Sequence, residues 1–172
     1  MKWLNTRASR AAIAAAVAAS FATAPLAAAS AAPLPVSAPE KVKPCKDRVV
    51  KWIKKAGFKG AAVRVAWAVA QRESNGNPGE STMPDLGLMQ LNTSSWQGSK
   101  YWPANVYDPV QNLTAVRQMV KDMGWQPWGL RVKKGQVSYD FSSYGSWSSW
   151  QHENWIVAPF EKYYAQFPKA CR

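Results

Sequence analysis

The chain has 172 residues, with 22 Lys and Arg against 10 Asp and Glu and a formal charge of +12. That length allows one ordinary domain, or one domain plus a targeting segment, and excludes tandem domains and long repeat arrays, and 47% hydrophobic against 19% charged residues argues for a packed core. One His excludes a multi-His centre and two Cys exclude a four-cysteine zinc site, so no metal and no cofactor is expected.

Residues 1–10 carry Lys2, Arg7 and Arg10 and no acid, and residues 11–32 are almost wholly small or apolar. Ala29-Ser30-Ala31 then offers small residues where a signal peptidase reads. This is the pattern of a secretory signal over residues 1–31. No membrane anchor is expected after cleavage, because Pro25 and a weakly apolar Ala-rich run suit insertion poorly. Its loss lowers the charge from +12 to +9. Residues 32–44 hold four prolines and read as an extended linker, which leaves residues 45–172 as the folded domain. Cys45 and Cys171 sit at its two ends, and in an exported chain they are expected to form a disulfide.

Within the domain, Val49, Val50, Ile53 and Ala56 recur at helical spacing and predict a helix over residues 46–56, with Lys51, Lys54 and Lys55 facing water. A second helix is predicted over residues 61–73, ended by Asn75-Gly76-Asn77-Pro78-Gly79. A third is marked by Asp108 as N-cap, Pro109 at the first position, Gln111 as partner in a capping box and Gly124 at the end. Val110, Leu113, Val116, Val120 and Met123 give it an apolar face. A fourth is expected from Pro159, carrying Phe160, Tyr163, Tyr164 and Phe167. No run of alternating strands stands out, and residues 129–154, rich in Ser, Gly, Trp and Tyr, read as irregular. The fold class is therefore mainly α.

Glu73 draws attention on the second helix. It continues the stripe Ala62, Ala66, Val69 at spacings that stay on one face, and it lies in the last turn. Partial burial and the negative end of the helix dipole both favour the protonated acid there, the form a glycosidic general acid needs. A solvated helix-end Glu fits these facts as well.

The surrounding motifs narrow the choice. Glu73-Ser74-Asn75-Gly76-Asn77-Pro78 is followed by Asp85-Leu86-Gly87-Leu88-Met89-Gln90-Leu91-Asn92, and later by Asp108-Pro109-Val110-Gln111-Asn112-Leu113. Over residues 61–128 this resembles the lytic transglycosylase and goose-type lysozyme superfamily. Gly124-Trp125-Gln126-Pro127-Trp128 resembles the compact lysozyme-like domains of secreted bacterial and phage proteins. The resemblance implies a lysozyme-like domain with a substrate cleft, a secreted, periplasmic or cell-wall-associated monomer, and peptidoglycan glycan strands as partner. Glu73 matches the catalytic acid/base, Gln90 a cleft residue that bonds sugar groups, and Gly87 and Met89 the cleft floor. Ser74 is placed to orient the acid or to cap the helix.

Two positions depart from the family. The Ala-Tyr-Asn motif whose Tyr supports the acid is missing, with Tyr139 and Tyr144 as the candidates to replace it. Asn92 stands where goose-type lysozymes carry a carboxylate. A lytic transglycosylase needs only one acid/base and suits this pattern. A hydrolytic muramidase would have to use Asp85 as second carboxylate, and a non-catalytic cationic glycan-binding module is the third possibility. Trp96, Trp102, Trp125, Trp128, Trp147 and Trp150 are candidates for stacking on sugars. His152 is expected to be structural or exposed. The positive charge suits an anionic wall polymer; no nucleic-acid motif appears, so no nucleic-acid partner is expected.

Overall fold

A computed structural model describes residues 44–172. The predicted signal segment 1–31 and all of the 32–44 linker but Pro44 lie outside the described residues.

Helix α1, Arg48–Lys55, starts where Asp47 caps it: Val50 N–H donates to Asp47 Oδ1 at 2.9 Å. Val49, Val50 and Ile53 are buried, while Lys54 and Lys55 complement the negative end of the helix dipole. The other oxygen of Asp47 accepts from the Trp67 indole at 3.2 Å, which ties α1 to helix α2, Ala61–Ser74. Residues 65–70 of α2 are all buried, so this helix is central rather than amphipathic. Its small Ala and Val side chains let α1 pack on one flank and helix α6, Ala158–Gln166, on another. Asn75 ends α2 in the left-handed conformation (φ 51°, ψ 31°). Its N–H donates to Gln71 O and that of Gly76 to Ala70 O, so two terminal carbonyls are satisfied.

Three two-residue strands follow, β1 Ser81–Thr82, β2 Asp85–Leu86 and β3 Leu91–Asn92, paired antiparallel in that order. Pairs this short leave no alternation to read in a sequence, which is why no strand was expected there. The turn between β2 and β3 is the Gly-Leu-Met-Gln segment. Gly87 has φ +76°, and a Cβ on it would lie 2.3 Å from Val106 O, so the position admits only glycine. After the short helix α3, Thr93–Trp96, helix α4 runs Pro109–Met123. Asp108 caps it, accepting from Val110 and Gln111 N–H groups at 2.9 and 2.8 Å. The reciprocal half of the expected capping box is not made: the Gln111 side chain accepts from Asn105 N–H instead, bracing the incoming loop.

The reading of residues 129–154 as irregular is corrected. Strands β4 Leu130–Lys133 and β5 Gln136–Tyr139 form an antiparallel hairpin, with Leu130, Val132, Val137 and Tyr139 turned inward and their neighbours exposed. Lys134 and Gly135 both take positive φ, 50° and 80°, the tight turn that suits a hairpin's twist. Helical turns also begin earlier than Pro159. Ser148 and Gln151 form a full capping box for α5, Ser149–Gln151. A π-helical stretch, His152–Val157, then leads into α6. Pro159 has no N–H and its ring crowds the carbonyl four residues back, so the ordinary α pattern cannot run through it. The widened turn sits immediately upstream.

Arg64 fastens α6 to α2: its Nε donates to Tyr164 O at 2.8 Å and its guanidinium lies 3.8 Å from the centre of that residue's ring. The Cys45–Cys171 disulfide, with Cα atoms 4.7 Å apart, joins the two ends of the described region. Among the described residues, no helix is long and apolar enough to cross a membrane.

Candidate active site

The motif residues divide into those that build the turn and those that face a cleft. Asn112, fully buried in α4, is the hub of the first group. Its Oδ1 accepts from Met89 N–H at 3.1 Å and its Nδ2 donates to Val106 O at 3.0 Å. The Asn of the Asp-Pro-x-x-Asn motif thereby fixes the Gly-Leu-Met-Gln turn against the loop that leads into α4. Ser74 is also buried and joins the same turn: its hydroxyl lies 2.7 Å from Leu88 O and 3.0 Å from Ala70 O. It bonds backbone rather than Glu73. Met89 has a fully buried side chain in the core, and its carbonyl accepts from the Trp128 indole at 3.2 Å. Ser74 and Met89 therefore hold the cleft together from behind and do not line it.

The cleft itself has a volume of about 680 Å³. Glu73, Asp85, Gln90 and Asn92 line it together with the aromatic Trp96, Trp128, Tyr144, Trp147 and Trp155 and with Ser143. Glu73 reaches it from the last turn of α2 with its side chain 24% exposed. Gln90 takes φ 48°, and its amide nitrogen donates to Gly87 O at 2.8 Å. Asp85 and Asn92 face each other across β2 and β3, and Asn92 Nδ2 donates to Asp85 Oδ1 at 2.8 Å. The other end of the Asn92 amide accepts from Ser95 N–H and caps α3.

Arg72 belongs to this site and carried no signal in the sequence beyond standing next to Glu73. Its side chain is only 5% exposed. Nε and Nη2 donate to Glu73 Oε1, and Nη1 and Nη2 donate to Trp128 O at 3.1 and 3.2 Å. A buried guanidinium with fixed partners is a rigid clamp. It sets the orientation of the Glu73 carboxyl and places a positive charge beside it, which the expectation built on burial and the helix end did not include.

The two candidate tyrosines separate. Tyr139 lies in a second cleft between the hairpin and α6, where its hydroxyl donates to Glu161 Oε1 at 2.9 Å. Burial first, and the Glu161 carboxylate second, raise its phenol. Tyr144 does line the Glu73 cleft, but its hydroxyl donates to Pro127 O at 3.1 Å. Burial is the main cause that pushes this phenol up to about 12, with the Glu73 charge adding and Arg72 opposing. Neither hydroxyl bonds Glu73, and Arg72 takes the bracing place expected of a Tyr.

The candidate tryptophans divide as well. Trp96, Trp128 and Trp147 line the cleft, and Trp155, which the motifs did not single out, joins them. Trp125 is buried, Trp102 packs partly buried against the core, and Trp150 is exposed. His152 stacks on Phe141 with ring centres 4.1 Å apart, and its Nε2 is buried with no partner among the described residues. Among those residues no cluster of His, Cys, Asp and Glu is arranged to hold a metal ion.

Comparison with curated proteins and with solved structures finds no match. Residues 50–130 match the family described as Lysozyme like domain, and such a domain points to glycan-cleaving activity in general. That span runs from α1 to the first residue of the hairpin and contains Glu73, the Gly-Leu-Met-Gln turn and Asn112; over it, the chain carries a lysozyme-like domain.

Proposed function

We propose that the chain is an exported enzyme that cleaves the β-1,4 bond between N-acetylmuramic acid and N-acetylglucosamine in peptidoglycan, as a lytic transglycosylase with Glu73 as acid/base. The reading rests on one observation above others: a part-exposed carboxyl, clamped by a buried Arg, opens from a helix end into a cleft that also presents amides, hydroxyls and indoles. Residues 1–31 act as the export signal in this reading, and an oxidising compartment suits the disulfide.

In the proposed reaction, protonated Glu73 gives its proton to the glycosidic oxygen, and the bond from that oxygen to the muramic C1 breaks. The substrate's own N-acetyl group shields the cation at C1. The Glu73 carboxylate then takes the proton of the muramic 6-hydroxyl as that oxygen bonds to C1. A 1,6-anhydro ring forms, the acid is regenerated and no water is consumed. The 6-hydroxyl is tethered to the reacting sugar, so its effective concentration is high. The amide on Asp85 favours this route, because that carboxylate is occupied by Asn92.

A second reading keeps one supporting fact: Asp85 lines the same cleft as Glu73. A hydrolytic muramidase would use it as the partner carboxylate, at the roughly 5–9.5 Å such pairs require. Mass spectrometry of digested sacculi separates the readings. Glu73→Gln should fold and lose about 10²–10⁴-fold in cleavage, and the wild-type products should end in the anhydro sugar, one water lighter than hydrolysed ones. Ordinary reducing ends that vanish in Asp85→Asn would establish the muramidase. Full activity in a folded Glu73→Gln protein would remove Glu73 from the chemistry, and no cleavage by the wild type would leave a glycan-binding module.

A further inference from the structure

We propose that the segment after the family-matched region forms a sugar-stacking wall, in which Trp147, Trp155 and Trp150 carry glycan units outward from the cleft and confer a preference for long strands. The inference rests on the glycan reading of the cleft and adds to it a site on residues outside that match.

Three tryptophans within nine residues stand in solvent: Trp147 is 38% exposed, Trp155 50% and Trp150 63%. Single exposed apolar residues are ordinary, but a contiguous group marks a binding surface. These rings touch one another. Trp147 and Trp155 meet edge to face with centres 5.3 Å apart, and Trp150 meets Trp155 at 6.1 Å. The interplanar angles are 88° and 75°, so the three indoles offer faces in different directions and each suits a separate sugar ring.

The wall is also held in place before any ligand arrives. Tyr144 packs edge-on against Trp147 at 5.0 Å while its hydroxyl is anchored to Pro127 O. The His152 ring, stacked on Phe141, lies nearly parallel to Trp147 at 6.2 Å. The capping box at Ser148 fixes the turn that carries Trp150. Side chains ordered in advance lower the entropy cost of binding.

Continuity with the cleft identifies the occupant. Trp147 and Trp155 line the cavity that holds Glu73, and Trp150 extends from Trp155 beyond it. A pyranose ring has an apolar C–H face that fits an indole and a rim of hydroxyls that fits the neutral Gln126 and Ser143 beside it. A second copy of the chain fits poorly, since each carries +12, or +9 once residues 1–31 are removed, and like charges repel.

The test is calorimetric binding of a β-1,4-linked N-acetylglucosamine hexamer and dimer to full-length protein carrying Glu73→Gln, with Trp150→Ala, Trp155→Ala or Trp150→Phe added. Each Ala variant should raise the hexamer Kd about tenfold, the equivalent of roughly 1.4 kcal/mol. Trp150→Ala should cost less with the dimer, and Trp150→Phe, which keeps a stacking face, should restore most of the hexamer affinity. Hexamer affinities equal to the parent in both Ala variants would overturn the wall and leave the cleavage reading intact. Sedimentation showing a wild-type dimer that Trp155→Ala splits would overturn it in favour of self-association. A Trp-dependent hexamer affinity in a wild-type protein that cleaves nothing would keep the wall and sink the enzyme. A parent that binds neither sugar would sink both.

Discussion

Replacing Asn112 by Leu keeps the side chain's approximate size and removes both of its hydrogen bonds. Met89 N–H and Val106 C=O then lose their partner at a fully buried position. An unsatisfied buried group costs about 1–3 kcal/mol, so the pair amounts to about 2–6 kcal/mol. At this domain size that lowers Tm by about 3 °C or more for each kcal/mol. Urea unfolding of the oxidised protein, followed by tryptophan fluorescence, measures the loss directly. Asn112→Asp sharpens the test: it keeps an acceptor for Met89 but loses the donor to Val106 and places a carboxylate at a fully buried position, so it should be no more stable than the Leu variant at neutral pH. A Leu variant within about 0.5 kcal/mol of wild type, the range of an ordinary surface change, would refute the assignment of Asn112 as the fastener of the Gly-Leu-Met-Gln turn.

Removing the disulfide with Cys45→Ser and Cys171→Ser should cost about 5 kcal/mol in the chain-entropy picture for a closure of this length, spanning 126 residues; denaturant midpoints equal to wild type would show that the bond constrains nothing. The buried Tyr144 phenol is held above its ordinary 10.0, at about 12. Its contribution is complete below pH 10 and is lost as pH rises toward 12. Thermal melts across that window should fall more steeply for wild type than for Tyr144→Phe, and parallel curves would count against the burial as the cause.

Where the chain writes its structure in local periods, the sequence was readable. The apolar spacing of α1 and α4, the Asp cap at 108 and the paired terminal cysteines all have physical causes within a few residues or in simple counting. The hairpin at 130–139 escaped because Ser and Trp on either side obscured a four-residue alternation; its Lys134-Gly135 turn was the available signal. The site followed the same rule. Glu73 stood out only when its helix position was joined to the family motifs, and Asp85, Gln90 and Asn92 came through the same motifs and lie with it in the cleft. Arg72 was not visible, since its role depends on the carbonyl of Trp128, which is 56 residues away in the chain. Trp155 looked like any tryptophan of an aromatic-rich segment until the fold set it against Trp147. Tyr139 and Tyr144 were equivalent in composition, and only the hairpin's placement sent the first to Glu161.

The terminal disulfide also determines how the domain would carry a load. Its Cα atoms are 4.7 Å apart, with the whole fold strung between them. Tension applied through segments attached at both ends would run from Cys45 to Cys171 across one covalent bond and bypass the helices, the hairpin and the cleft. A domain held this way between two anchors in a stretched polymer network would keep its active geometry at forces that would pull an unbridged fold apart.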